Sequence, residues 1–133
     1  MTVLVDTSVW SLALRRKGHV EERIRKELAN LISGYHAKII GPIRQEILSG
    51  ISDKRSYEGL RLKLQEFDDI PLEREDFEKA AAFSNDCRRK GIQGSHTDFL
   101  ICAVAYHHGY RIFSVDQDFA RYASVIDLVL HAH

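Results

Sequence analysis

The chain opens on a short apolar run, Thr2-Val3-Leu4-Val5, that stops at Asp6. This pattern predicts a buried strand with Asp6 at its carboxyl end, and Thr7-Ser8 supply hydroxyls suited to opening a helix. From His19 to Ser33, Val20, Ile24, Leu28, Leu31 and Ile32 recur at helical spacing with charges between them, and Gly34 follows. That spacing predicts an amphipathic surface helix. Ala37 to Ile40 is a second short strand, ended by Gly41-Pro42, and Pro42 fits the first turn of a helix through Ile43, Ile47 and Leu48. Residues 53–67 and 73–90 predict two further helices. Between them, Pro71 in Asp69-Ile70-Pro71-Leu72 breaks any helix and leaves room for a short extended segment.

Gly91 to Gly94 forms a loop, after which Ser95-His96-Thr97-Asp98 has the S-x-x-D form of a capping box. The following FLICAVAY is apolar on nearly every face, which predicts a buried helix. Tyr110 to Val115 reads as a strand, Asp116-Gln117-Asp118 as a turn, Phe119 to Ala123 as a short helix, and Val125 to Val129 as a last strand. Strands alternating with helices require crossover connections, so the expected class is α/β, with a parallel sheet covered on both faces. In such sheets the ligand crevice lies at the carboxyl ends of the strands, where Asp6, the turn before Glu46, and Asp116 fall.

The length of 133 residues, 44% hydrophobic and 29% charged, suits one domain spanning 1–133. No apolar run approaches a membrane span, and the acid in MTVLVDTSVW interrupts what a signal peptide would continue as its apolar core, so a cytoplasmic location is expected. Cys87 and Cys102 are isolated and lack zinc-ligand spacing, which suits a reducing compartment. The 19 Lys and Arg balance the 19 Asp and Glu, so any nucleic-acid contact must come from charge placement.

Each acid has an ordinary explanation as well as a chemical one. Asp6, between a strand and a helix, is a favoured N-cap. Glu46 follows Ile43 by three residues and precedes Ile47, so at about 100° per residue it borders the apolar stripe, where its stem packs and its head wants a partner or water. Asp98 lies over Ile101, Cys102 and Ala105 on an apolar helix, where an unpaired carboxylate is costly. Asp116 and Asp118 suit turn and cap positions, with Asp118 the better cap and Asp116 the better site candidate. Gathered at one crevice, these carboxylates would raise one another's pKa unless a cation sat between them. All-oxygen ligation favours Mg²⁺ or Mn²⁺, and phosphoryl transfer by an activated water is the matching chemistry.

V-D-T-S near the N-terminus, R-Q-E-I-L in an early helix, T-D-F-L-I-C-A-V-A in a late helix and then S-V-D-Q-D-F-A-R-Y together resemble PIN-domain proteins of the VapC toxin type. The resemblance covers essentially the whole chain. It implies a three-layer α/β/α domain with a central parallel sheet. Asp6, Glu46, Asp98 and Asp116 match the four acids of the family's active site, and Asp118 matches an additional, more variable acid. Ser114 stands where the family has a supporting Ser or Thr. By that resemblance Asp6, Asp98, Asp116 and Asp118 are the metal ligands, and the chain is a metal-dependent endoribonuclease, usually homodimeric and held inactive by a small cognate antitoxin. His96-Thr97 depart from the small or apolar residues that many relatives carry before this acid.

Other features read more plainly. His107-His108, His131 and His133 lack ligand spacing and are expected to be structural or surface residues, and His96 sits at the rim of the site. Arg15-Arg16-Lys17 and Arg88-Arg89-Lys90 suit either an RNA backbone or solvated helix ends. Trp10 and Leu12 to Leu14 belong to a core or a protein interface. Two rival functions remain: a phosphate-monoester hydrolase using Asp6 as nucleophile, disfavoured by the lack of a second Asp two residues on, and a non-catalytic module binding RNA or protein. A free-standing RNA-processing nuclease would carry the same site as a toxin.

Overall fold

The computed structural model describes residues 1–14 and 19–133; the Arg15-Arg16-Lys17 cluster lies outside them. The elements follow in the order β1 (Val3–Val5), α1 (Thr7–Leu14), α2 (His19–Ser33), β2 (Ala37–Lys38), α3 (Gly41–Leu48), α4 (Lys54–Leu64), α5 (Arg74–Arg89), α6 (His96–His108), β3 (Arg111–Phe113), α7 (Asp118–Ala123) and β4 (Val129–Leu130). The sheet order is β2-β1-β3-β4, and every pairing is parallel. Val3, Leu4 and Val5 are all fully buried although successive side chains point to opposite faces, so both faces of β1 are covered. This is the α/β fold the alternation predicts. The chain leaves β1 for β2 on one side and reaches β3 and β4 on the other. The sheet therefore has its switch point between β1 and β3, where a crevice opens at the strand ends.

Local chemistry explains most element ends. Pro occupies the first turn of α3, Asp53 Oδ2 caps α4 by accepting from Ser56 N at 2.8 Å, and Gly109, at φ 71°, closes α6 in the left-handed conformation that a side chain would disfavour. Helix α6 buries every residue from Phe99 to Ala105, which makes it the central helix and fixes the position of its first turn. Trp10 is a core residue, edge-on to Phe67 at 5.3 Å and donating from Nε1 to Val5 O at 3.2 Å. Both cysteines are buried free thiols. Among the described residues no helix is long and apolar enough to cross a membrane.

The strands are shorter than the apolar runs suggest, and the last one moves. Val125 to Val129 is not a strand: the amides of Val125 and Ile126 both donate to Tyr122 O, winding the chain off the end of α7, and pairing begins only at Val129. Ile126 is buried through that turn, which gives an apolar signal without a ladder. Ile39 lies past β2 and meets Asp69 in an isolated parallel bridge, so the Asp69 to Leu72 segment is extended as its proline requires. His131 is buried and bonds Glu27 at 2.7 Å, a structural histidine.

Candidate active site

Asp6 is held from both sides by its own backbone. Its amide donates to Phe113 O at 2.9 Å, the last rung between β1 and β3, and its carbonyl accepts from the amides of Val9 and Trp10 as α1 begins. The side chain is only 4% exposed. Its Oδ2 accepts from Ser8 Oγ at 2.6 Å, from Ser114 Oγ at 2.9 Å and from Ser8 N at 3.3 Å. The N-cap reading is thus correct, and the cap is also the floor of the crevice. Burial pushes the Asp6 carboxyl above its ordinary pKa, and the hydrogen bonds from Ser8 and Ser114 oppose that shift. Ser8 Oγ also accepts from Val115 N at 3.2 Å, tying the loop after β3 to α1.

That loop places the next acids. Ser114 Oγ accepts from Asp116 N at 3.0 Å, and Asp116 Oδ1 accepts from Asp118 N at 2.9 Å. The side chain that accepts an amide at the start of α7 is therefore that of Asp116; Gln117 holds the N-cap position without a side-chain bond, and Asp118 lies in the first turn of the helix. Asp98 enters from the first turn of α6, where Ser95 Oγ accepts from Asp98 N at 3.1 Å as the capping pattern predicts. The Asp98 carboxylate is turned toward Tyr122, whose hydroxyl donates to Oδ2 at 2.6 Å. One carboxylate oxygen from each of Asp98, Asp116 and Asp118 lies within 4.8 Å of the others. Burial, reinforced by the charges of Asp6 and Asp116, pushes Asp98 up to about 6.

Glu46 differs from expectation. It is exposed and not at the border of the apolar stripe, because Ile43 and Ile47 take the buried face of α3 and leave Glu46 on its open side. Its partner is the Thr7 hydroxyl, which donates to Oε1 at 2.7 Å. A cleft of about 580 Å³ is lined by Asp6, Thr7, Glu46, Thr97, Asp98 and Asp116, among others. Asp118 flanks it through its contact with Asp98 and Asp116. The structure thus brings Asp6, Glu46, Asp98, Asp116, Asp118 and Ser114 to one place, with His96 at the neighbouring turn.

Ser8 and Tyr122 belong to the site and carry no signal by themselves. Ser8 reads as a helix opener, and Tyr122 as the apolar residue of a short helix. Tyr122 is fully buried between Phe99 and Phe119, with ring centroids at 5.0 and 5.2 Å. Its burial and its bond to Asp98 push the phenol far above its ordinary pKa, so it stays a donor. Gly94 makes room for it: a Cβ there would lie 2.2 Å from the Tyr122 hydroxyl oxygen. The one hint of a role in the sequence is the place of Tyr122 four residues after Asp118.

The PIN domain family model matches residues 3–125. The chain belongs to the PIN domain family. This PIN domain is 33% identical over 130 residues to Ribonuclease VapC11 of Mycobacterium tuberculosis, with 95% of each chain covered. Two solved structures share its fold. FitAcB from Neisseria gonorrhoeae superposes with a TM-score of 0.78 at 19% identity, covering 98% of this chain and 97% of that one. VapBC2 from Rickettsia felis, solved bound to a DNA fragment from their promoter, gives 0.76 at 14% identity, covering 98% of each.

Proposed function

We propose that this PIN domain is a metal-dependent endoribonuclease and the toxin of a toxin–antitoxin pair. The observation that carries the reading is the convergence of three carboxylate oxygens within 4.8 Å, those of Asp98 and Asp116 in a cleft that also holds Asp6 and Glu46 and that of Asp118 at its flank. Such a cluster is unfavourable without a counter-ion; the pKa of Asp98 is raised first by burial and further by the charges of Asp6 and Asp116. Its all-oxygen chemistry fits Mg²⁺ or Mn²⁺. Asp98, Asp116 and Asp118 would hold the ion, with Asp6 completing the set from the floor. Bound there, the ion supplies Lewis acidity toward the phosphodiester oxygens and toward water.

The residues divide the remaining work. Glu46, exposed on the open side of the cleft and oriented by Thr7, accepts the proton of the attacking water and aims it at phosphorus. In-line attack breaks the bond to the 3′ oxygen, which takes up a proton from solvent water, giving 5′-phosphate and 3′-hydroxyl ends. Ser8 and Ser114 fix Asp6, and Tyr122 fixes the carboxylate torsion of Asp98. The relatives named ribonucleases support RNA as substrate, and the fold shared with a toxin–antitoxin complex from Klebsiella pneumoniae supports a small cognate antitoxin as partner and inhibitor. A homodimer in the cytoplasm completes the reading.

The test is incubation of the purified chain, free of any partner, with total cellular RNA in Mg²⁺, Mn²⁺ or EDTA, beside Asp98→Asn. Discrete cuts that need the ion and vanish in the variant are expected. Full cleavage by Asp98→Asn would overturn the assignment of that residue, and a folded chain that neither binds an ion nor cuts would be a binding module.

A further inference from the structure

The cleft presents a problem for a polyanionic substrate: none of the described residues lining it is Lys or Arg, while Asp6, Glu46, Asp98 and Asp116 all carry carboxylates. Grip on the RNA must come from its surroundings. Helix α6 leads to one such place. Residues two apart on a helix point about 200° away from each other, so His96 and Asp98 leave the first turn of α6 on opposite flanks. Asp98 faces the acids, and His96 faces a second cavity of about 350 Å³ between α5 and α6.

This cavity exists because Ala80 and Ala81 keep α5 thin where it passes Phe99 and Leu100. Its walls are apolar, yet its edge is not. The Phe77 ring is 52% exposed, a large open aromatic face. Ser84 and Asn85 supply a hydroxyl and an amide, groups that donate and accept in pairs. Arg88 and His96 close the end nearest the acid cleft. Arg89 is engaged by Asp86, whereas Arg88 makes no ion pair among the described residues. An aromatic face at one end of the groove, with an amide and a cation about 16 Å along α5 at the other, are what a short stretch of splayed-out bases and their phosphates require.

We propose that the α5–α6 groove is a nucleotide subsite, taking the two or three nucleotides of single-stranded RNA next to the bond cut in the acid cleft. The proposal rests on the ribonuclease reading for the identity of the strand. Arg88 holds a phosphate and Asn85 reads a base edge at the end near the cleft, and Phe77, about 16 Å from Arg88 along α5, stacks a base further along the strand. The strand passes over the amino-terminal end of α6, where the helix dipole favours a phosphate. Charge complementarity and the direct path from the cleft through Thr97 and His96 favour RNA over a second protein surface.

The test uses the full chain with Arg88→Ala, Phe77→Ala and Asn85→Ala, all exposed positions. Binding of a short labelled single-stranded RNA of random sequence is measured in EDTA across a salt series, and cut ends are mapped separately in Mg²⁺ or Mn²⁺. Arg88→Ala is expected to weaken binding about three- to tenfold and to reduce the salt slope by about one. Phe77→Ala should weaken it about fivefold or more. Asn85→Ala should redistribute the mapped ends through one nucleotide position near the cut. Unchanged affinity, salt slope and cut-end sequence in all three variants would overturn the subsite. So would a shift in oligomeric state by light scattering with RNA affinity intact, which would assign the groove to a second copy. If the unmodified chain binds RNA but never cuts it, the ribonuclease reading fails alone, and the binding series still decides the groove.

Discussion

The two ends of α6 each meet a shielded carboxylate, and they treat it oppositely. At the carboxyl end, Asp76 of α5 is 1% exposed and fully answered: Oδ2 accepts from Glu73 N at 2.8 Å and Oδ1 meets His107 Nδ1 at 3.2 Å. At the amino end, Asp98 accepts from Tyr122, and burial, with the charges of Asp6 and Asp116 added, raises its pKa to about 6. A buried acid given matched partners holds helices together. A half-buried acid with other acids beside it is held where its charged form is disfavoured, a pattern that clusters at functional sites.

The contrast can be broken most severely at Asp98 itself. Asp98→Asn should reduce RNA cleavage to background while stabilising the metal-free chain. The folded pKa of about 6 lies above the ordinary 3.8, so this group stabilises the fold below about pH 4, and that contribution is lost as pH rises through 6. Metal-free Asp98→Asn should therefore melt about 2–4 °C above the parent at pH 7, with the gap closing at pH 4. A lower melting temperature at pH 7 would mean that Asp98 is not under charge strain. Next in size, Glu46→Gln should lower kcat about 10²- to 10⁴-fold with metal affinity retained, checked by single-turnover cleavage beside a calorimetric Mn²⁺ titration.

Tyr122→Phe keeps the ring against Phe99 and Phe119 and removes only the donor to Asp98. It should weaken Mn²⁺ binding about tenfold with little change in melting temperature. The smallest effect belongs to the other end of the helix. Asp76→Ala leaves Glu73 N and His107 without their acceptor and should cost about 1–2 kcal/mol, seen in urea melts, with cleavage per folded molecule unchanged. A loss of cleavage there would show that the two ends are coupled through α6.

The difference between the ends also explains what a reader of the sequence can find. Asp98 is conspicuous because a carboxylate heads an otherwise apolar helix, and Asp6 because it ends a buried strand; both signals are local. Glu46 is found for the wrong reason. Its helix was legible, but its exposure depends on how α3 docks through Ile43 and Ile47. Asp118 is not the cap of α7, and the carboxylate that accepts an amide there is that of Asp116, because the choice lies in loop geometry that two nearby acids satisfy equally well on paper. The last strand was misplaced because burial of Ile126 is achieved by a turn. Ser8 and Tyr122 were illegible as site residues because hydroxyls acquire their meaning only when the fold supplies the acid they bond.

Gly94 gives the site a remote control. Nothing larger than a hydrogen atom fits there beside the Tyr122 oxygen, and that oxygen is the donor that sets the pose of Asp98. The loop from Gly91 to Gly94 therefore acts as a gauge block behind the chemistry, with no room for even a methyl group. A substitution at this one position would shift the Tyr122 hydroxyl and with it the pose of Asp98, with every acid of the cluster left in the chain.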